Sequence, residues 1–241
     1  MNRRTFLKTL QTLILMAGTM PSTVNGASSS TQDLQPIMLS KPQKDGGKSV
    51  LAALWDRRTN RNISAEKFPL QVLSNLIWAA WGVNREERPF GGQLGRTAAS
   101  ASNSQEIDLY VVLSEGIYLY EAVPHRLLPV TAGDHRRNIG GSGGRRDSLA
   151  NAPVNFIYVV DITKYDKSPK PEPGLRDPDV QKMYYGVTTG HIAGNVYLFA
   201  ASQGLAAWFH NCNKRRLPGL LNLRPEQQVL FAQTIGYPVK S

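Results

Sequence analysis

The sequence predicts one α+β domain preceded by an N-terminal appendage, and three observations carry that expectation. Ile107 to Leu113 and Gly116 to Tyr120 are apolar, aromatic-rich runs on either side of Ser114-Glu115-Gly116, which predicts a β-hairpin. Ala152 to Val160 is rich in β-branched and aromatic residues, which predicts a buried strand. Leu70 to Gly82 and Val180 to Ala206 hold apolar and small residues at helical spacing. At 241 residues and 41% hydrophobic composition, the chain is long enough for a sizeable core.

The first residues, Met1-Asn2-Arg3-Arg4-Thr5-Phe6-Leu7-Lys8, precede an apolar run from Leu10 to Ala17 and a small-residue zone at Gly26-Ala27. This is the layout of a secretory signal. Paired arginines before Phe-Leu-Lys mark twin-arginine export, so residues 1–26 are expected to be a twin-arginine signal peptide. The expected location is periplasmic or otherwise exported, with the cytoplasm as the alternative. Residues 27–41 read as a disordered leader, since they open on small polar residues. The folded domain is expected over 42–241.

Gly47-Lys48-Ser49 ends like a phosphate-binding loop, but Pro42 stands where the first glycine belongs, and the motif is rejected. Ser49 to Trp55 predicts a helix, with Val50, Leu51 and Leu54 on one face and Trp55 beside it. Ser64 to Lys67 predicts a helix start, and Pro69 the first turn of the helix that ends at Gly82. Residues 84–98 predict a polar loop. The basic, glycine-rich stretch 131–149 predicts a surface loop, with Gly140 to Arg146 as a lid. Residues 166–179, rich in Pro and charge, predict another loop. Within the long helix, Gly190 and Gly194 permit close approach of a helix or a ligand. Gly204 to Phe209 reads as a helix end running into a strand, Pro225 to Thr234 as a short helix, and Ile235 to Pro238 as a final strand and turn.

The net charge is +10, and removing the three cations of residues 1–26 takes it from +10 to +7. That balance suits an anionic ligand. No basic and aromatic interleaving occurs, so no nucleic-acid partner is expected. Cys212 is the single cysteine, which excludes a disulfide framework or a cysteine zinc site within one chain. His210 lies nearby, but His125, His135 and His191 are scattered, and no metal is expected. The stretch Arg57-Arg58-Thr59-Asn60-Arg61 sets three guanidiniums and a hydroxyl within five residues. Guanidinium forks match phosphate and carbonyl oxygens. Read locally, the stretch is either a solvated basic turn or an anion clamp.

Four segments together resemble the nitroreductase family of FMN-dependent oxidoreductases, from about Pro42 to Pro238. Arg57 to Arg61 resembles its Arg-Arg-Ser-x-Arg signature. Leu76-Ile77-Trp78-Ala79-Ala80-Trp81-Gly82 resembles its Leu-Leu-Trp-Ala-Ala-x-Gly. Ala99 to Gln105 resembles its Pro-Ser-x-x-Asn-x-Gln, with Ala99 for Pro, and Gly236-Tyr237-Pro238 resembles its terminal Gly-Tyr-Pro. The chain looks most similar to the branch that includes the oxidases of thiazole- and oxazole-modified peptide biosynthesis.

The resemblance implies an α+β fold with a mixed sheet flanked by helices, in a homodimer with FMN at the interface. It implies that Arg57 and Thr59 hold the phosphate with help from Arg58, and that Arg61 faces the N1/O2 edge of the ring. A fixed cation there stabilises the negative charge of reduced flavin. Ser100, Ala101 and Asn103 would approach the partner subunit's flavin, and Phe209, His210 and Asn211 would pass N5 with backbone donors. Lys240 is the basic residue available beyond Gly-Tyr-Pro. The implied chemistry is ping-pong electron or hydride transfer with a small-molecule substrate and an unspecified electron donor, with no catalytic side chain. Export would also make the twin-arginine machinery a partner. The alternative is a flavin- or ligand-binding module on the same fold, without turnover.

Overall fold

Eight buried residues in a row, Val154 to Asp161, make the strand on which the architecture rests. The computed structural model describes residues 34–88, 91–140, 146–168, 170–171 and 173–240. The expected signal (1–26), residues 27–33 of the expected leader and residues 141–145 of the expected lid lie outside the described residues. In order, the elements are β1 (Ile37–Met38), α1 (Val50–Asp56), α2 (Leu70–Trp81), β2 (Val83–Arg85) and β3 (Gly95–Arg96). β4 (Ile107–Val112), β5 (Gly116–Glu121), β6 (Arg126–Ala132), α3 (Arg146–Asn151) and β7 (Val154–Asp161) follow. The chain closes with α4 (Pro178–Ser202), β8 (Ala206–His210), α5 (Leu217–Leu220) and β9 (Gln227–Gly236). No described helix is long and apolar enough to cross a membrane.

The described strands form a seven-stranded sheet in the order β1-β6-β5-β4-β7-β9-β8, with a separate β2-β3 pair. Every pairing in it is antiparallel, where a mixed sheet was expected. Side chains alternate across a strand, so each strand feeds two layers. Leu109 and Val111 of β4 and Phe156, Tyr158 and Val160 of β7 meet Leu73, Leu76 and Ile77 of α2 and Ile192 and Val196 of α4. Tyr110, Val112, Ile157 and Val159 face the other way, onto Ile139, Cys212, Leu217 and Leu221. Both faces of β7 are thus covered, which is why it is buried without a break and mostly apolar, with Asn155 and Asp161 as its buried polar residues.

The long helix is set at both ends. The Asp177 side chain accepts from the Asp179 N–H and Pro178 occupies the first turn, a favourable start. Gly204 takes φ +68° just past the end, where Leu205 N–H reaches back to the Ala200 carbonyl at 2.8 Å. The reversal delivers the chain straight into β8. At Gly186, Gly190 and Gly194 an added Cβ meets nothing within 4 Å, so one side of α4 is open in the single chain. The apolar residues expected to share a face of α1 also point outward: Leu51 is 79% and Trp55 90% exposed.

Three expectations are corrected. The leader expected over 27–41 ends earlier, because Ile37 and Met38 pair with Leu127 and Arg126 and Leu39 is buried. Ser64 starts no helix: residues 57–69 run extended, held by Ser64 N–H to the Tyr237 carbonyl at 2.8 Å and an Ile63–Pro238 bridge, and α2 begins at Leu70. Residues 225–234 are no helix either. From Gln227 they are β9, paired with both β7 and β8, so sheet partners on either side outweigh the helix propensity of Glu, Gln, Leu and Ala.

Gly236 closes this frame. A Cβ there would fall 2.5 Å from Ile63 Cγ2 and 2.8 Å from Pro153 Cδ. The close approach lets the C-terminal strand lie against residues 62–64, which fixes the exit of the arginine stretch. Gly236→Ala is expected to cost roughly 1–3 kcal/mol through overpacking, read as a lower urea midpoint at unchanged slope; an unchanged midpoint would mean that the seat yields.

Candidate active site

The arginine stretch begins where α1 ends, with the Arg57 N–H on the Ala53 carbonyl at 2.9 Å. It leans on the exposed edge of the sheet: Asn60 N–H donates to the Ala207 carbonyl at 3.0 Å. Beneath it stands Tyr197 of α4. The Arg57 guanidinium lies 5.4 Å from the centre of the Tyr197 ring, and Thr59 Oγ1 is 3.1 Å from the Tyr197 hydroxyl. That hydroxyl also accepts the Phe209 N–H at 2.8 Å. Arg61 sits over the Trp208 indole at 5.5 Å, and Trp208 stacks on His210 at 4.4 Å. The structure therefore gathers Arg57, Arg58, Thr59 and Arg61 with Phe209 and His210 at the edge of β8.

Next to this cluster is a cavity of about 350 Å³, lined by Lys48, Asp56, Arg58, Asn60, Tyr197 and Pro238 together with small residues of α4 and the turn after it. Its lining is mainly polar and cationic, which fits a phosphate monoester. Asp56 is the carboxylate in that lining. A hydrogen bond from the paired Lys48 ammonium holds it below the usual carboxylate range, so it stays ionised and makes a poor proton donor. Lys240 is exposed two residues beyond Pro238. The Val239 N–H on the Asn62 carbonyl at 3.0 Å keeps that terminus alongside the stretch.

Ser100, Ala101 and Asn103 lie apart from this cluster. Their loop docks on α4 through Asn195 Nδ2 to the Thr97 carbonyl (3.1 Å) and the His191 ring nitrogen beside the Ala99 carbonyl (3.3 Å). His191 is about 9 Å along the helix axis from Tyr197. Among the described residues no hydrogen bond joins the loop to residues 57–61. Its backbone is tightly wound, with φ +46° at Ser102, +54° at Asn103 and +53° at Gln105. Such values are uncommon outside glycine, and side chains hold them here. Ser100 Oγ accepts the Gln105 N–H at 3.0 Å, and Asn103 donates to the Gln93 carbonyl at 2.7 Å while accepting from Gln105 Nε2 at 3.0 Å. Ser100 and Asn103 thus shape the loop through their own side chains.

Two residues are more central than sequence reasoning made them. Gln105, quoted only as part of a motif, accepts from Arg96 Nε at 2.6 Å and donates to the Leu94 carbonyl at 2.7 Å. Arg96, which lies over Trp81, is lowered by burial to about 10 and remains cationic at neutral pH. Tyr197 carried no sequence signal, since a lone Tyr among the small residues of a helix reads as packing. Two soft groups are excluded from chemistry. Burial pushes the Cys212 thiol up to about 11. The His210 ring is occupied by the Asn211 carbonyl at 2.7 Å and Thr234 Oγ1 at 2.9 Å, and burial lowers its pKa. Among the described residues no group of three or more candidate ligands could hold a metal.

The chain is similar to known proteins in sequence and fold. A family model described as the nitroreductase family covers residues 54–237. The chain belongs to the nitroreductase family. The Methanocaldococcus jannaschii protein named nitroreductase MJ1384 is 27% identical over 160 residues, or 63% of this chain and 73% of that one. A solved nitroreductase structure from Ralstonia eutropha JMP134 matches with a TM-score of 0.72 at 30% identity, over 88% of this chain and 92% of that one. An NADH oxidase structure from Clostridium acetobutylicum matches in fold, with a TM-score of 0.51 at 19% identity over 80% and 89% of the two chains. The chain is an oxidoreductase, and members of its family typically bind a flavin and act as dimers on small molecules.

Two outcomes follow from this geometry. Gln105→Ala strands the half-buried Arg96 guanidinium and Leu94 carbonyl and is expected to cost roughly 1–3 kcal/mol, seen as a lower Tm and faster amide exchange over residues 100–105. Cys212 is expected to resist a thiol reagent at pH 8 in the native protein and to react fully in denaturant; rapid native labelling would place the thiol at the surface.

Proposed function

We propose that the chain is an FMN-dependent oxidoreductase that passes two electrons between a donor and a small-molecule acceptor in alternation. One observation carries this reading: the arginine stretch, the edge of β8 and Tyr197 converge beside a cationic cavity of about 350 Å³. Arg57, Arg58 and Thr59 would hold the phosphate, with Lys240 near the same end. Arg61, steadied over Trp208, would set a cation against the ring edge where negative charge collects on reduction. The end of β8 at Phe209 and His210, with Asn211 just beyond it, would flank the ring. When bound, FMN supplies the redox chemistry, and the residues around it bind, orient and balance charge. The ionised Asp56 gives no reason to add a side-chain acid.

A homodimer accommodates the surfaces that the single chain leaves open. The outward apolar face of α1 and the open side of α4, where Met183 and Val187 are exposed, would meet a second copy. Ser100, Ala101 and Asn103 would then serve the partner's flavin, which accounts for their distance from Arg57–Arg61 in one chain. The Arg3-Arg4 signal supports export to the periplasm by the twin-arginine machinery, with cofactor loading before transit. Similarity to the peptide heterocycle oxidases makes azoline-containing peptides a substrate class to test alongside nitroaromatics.

The test is a visible spectrum of the purified mature chain, followed by anaerobic reduction with nicotinamide, quinol and thiol donors. A flavin band that one donor bleaches and an acceptor restores is the expected result. No band after FMN addition would sink the proposal, and a band that no donor bleaches would favour a flavin-holding module. Arg61→Ala is expected to lower the midpoint potential and weaken FMN binding roughly ten- to a hundredfold, since a charge-assisted hydrogen bond contributes about 1.5–3 kcal/mol. An unchanged potential removes Arg61 from the ring edge.

A further inference from the structure

We propose that Tyr197 is a positioning residue, whose hydroxyl aligns a hydrogen-bond chain from the β8 backbone through Thr59 to the cofactor phosphate. This rests on the FMN reading above. The direction of the chain follows from proton bookkeeping. The Tyr197 oxygen accepts the Phe209 N–H at 2.8 Å, and a backbone amide can only donate. Tyr197 has one proton of its own, and Thr59 Oγ1 stands 3.1 Å away. If Tyr197 gives that proton to Thr59, the exposed Thr59 hydroxyl is left with its own proton for a ligand. Facing an anion, this orientation is favoured, because every dipole in the chain then points its positive end at the ligand and each bond strengthens the next.

The Tyr197 ring serves the same end separately. It carries Arg57 on its face, so two of the residues assigned to the phosphate rest on one side chain by two different contacts. Tyr197 also lines the cavity beside Arg58 and Asn60. The arrangement has a consequence for β8. The Phe209 N–H, one of the backbone donors expected to face the flavin, is engaged by Tyr197. The edge of β8 therefore acts on the ligand through Tyr197 and Thr59 at this position.

The test separates hydroxyl from ring. Tyr197→Phe keeps the ring under Arg57 and removes the proton, and Thr59→Val keeps the shape of Thr59 and removes its hydroxyl. Each single variant is expected to weaken FMN binding, measured by flavin fluorescence quenching, about five- to tenfold. The double variant is expected to lose no more than the weaker single, because the two hydroxyls act as one chain. Riboflavin, which lacks the phosphate, is expected to bind all of these chains within about twofold of wild type. In the flavin-free protein, the Phe209 amide is expected to exchange faster in Tyr197→Phe, and this is read without any cofactor. Losses that multiply in the double variant overturn the proposal. So does an equal loss for riboflavin, or an unchanged Phe209 exchange rate. Failure of the wild-type chain to bind FMN sinks the proposed function and this inference with it, whereas FMN binding with multiplying losses sinks this inference alone.

Discussion

The pairing of β9 with both β7 and β8 is the constraint on which the rest depends. On one side β9 joins the buried β7 over eight registered pairs, and on the other it carries β8 at the edge of the sheet. Its interior is tied to the helix layer: Gln233 accepts from the Tyr158 hydroxyl at 2.5 Å and reaches the Ala193 carbonyl of α4 at 3.4 Å. Beyond Gly236 the same strand runs on to residues 62–64. One element thus sets the edge on which Asn60 leans, the helix that bears Tyr197, and the exit of the arginine stretch. The candidate site is where the arginine stretch meets α4 and β8, far from it in sequence, and β9 is what they share.

That strand was also the one most hidden in the sequence. Pro225-Glu226-Gln227-Gln228 followed by Val229, Leu230, Phe231 and Ala232 offers a proline-first start and residues that favour helices. A strand betrays itself by alternation, and here alternation is broken twice. The register shifts opposite Tyr158/Val159, so Val229 and Leu230 are both buried in succession. Further on, the buried position is filled by Gln233, which satisfies itself by hydrogen bonds in place of apolar contact. Neither a bulge nor an internally paired glutamine leaves a local mark. By contrast the hairpin β4-β5, strand β7 and the two long helices were legible, because each shows an uninterrupted period that a single burial face or two covered faces dictate.

The site was legible to a different degree. Arg57, Thr59 and Arg61 stand close together in the sequence, and the structure brings them to β8. What could not be read was which groups are already engaged. Ser100 and Asn103 spend their hydrogen bonds on a wound loop, and the Phe209 amide is taken by Tyr197. A motif names residues at a site, whereas only a fold assigns each donor to an acceptor. Tyr197 and Gln105 are essential in that second sense, and both acquire their role from partners that are distant in sequence or buried in a turn.

The three glycines along α4 have a consequence for how this chain should be measured. A glycine inside a helix costs about 1 kcal/mol against alanine, and at Gly186, Gly190 and Gly194 the lone chain shows no close neighbour that requires the missing side chain. Thermal stability of the single chain would therefore rank those positions as defects. The helix that bears the most functional geometry is the one whose worth a melting curve of the single chain would most underrate.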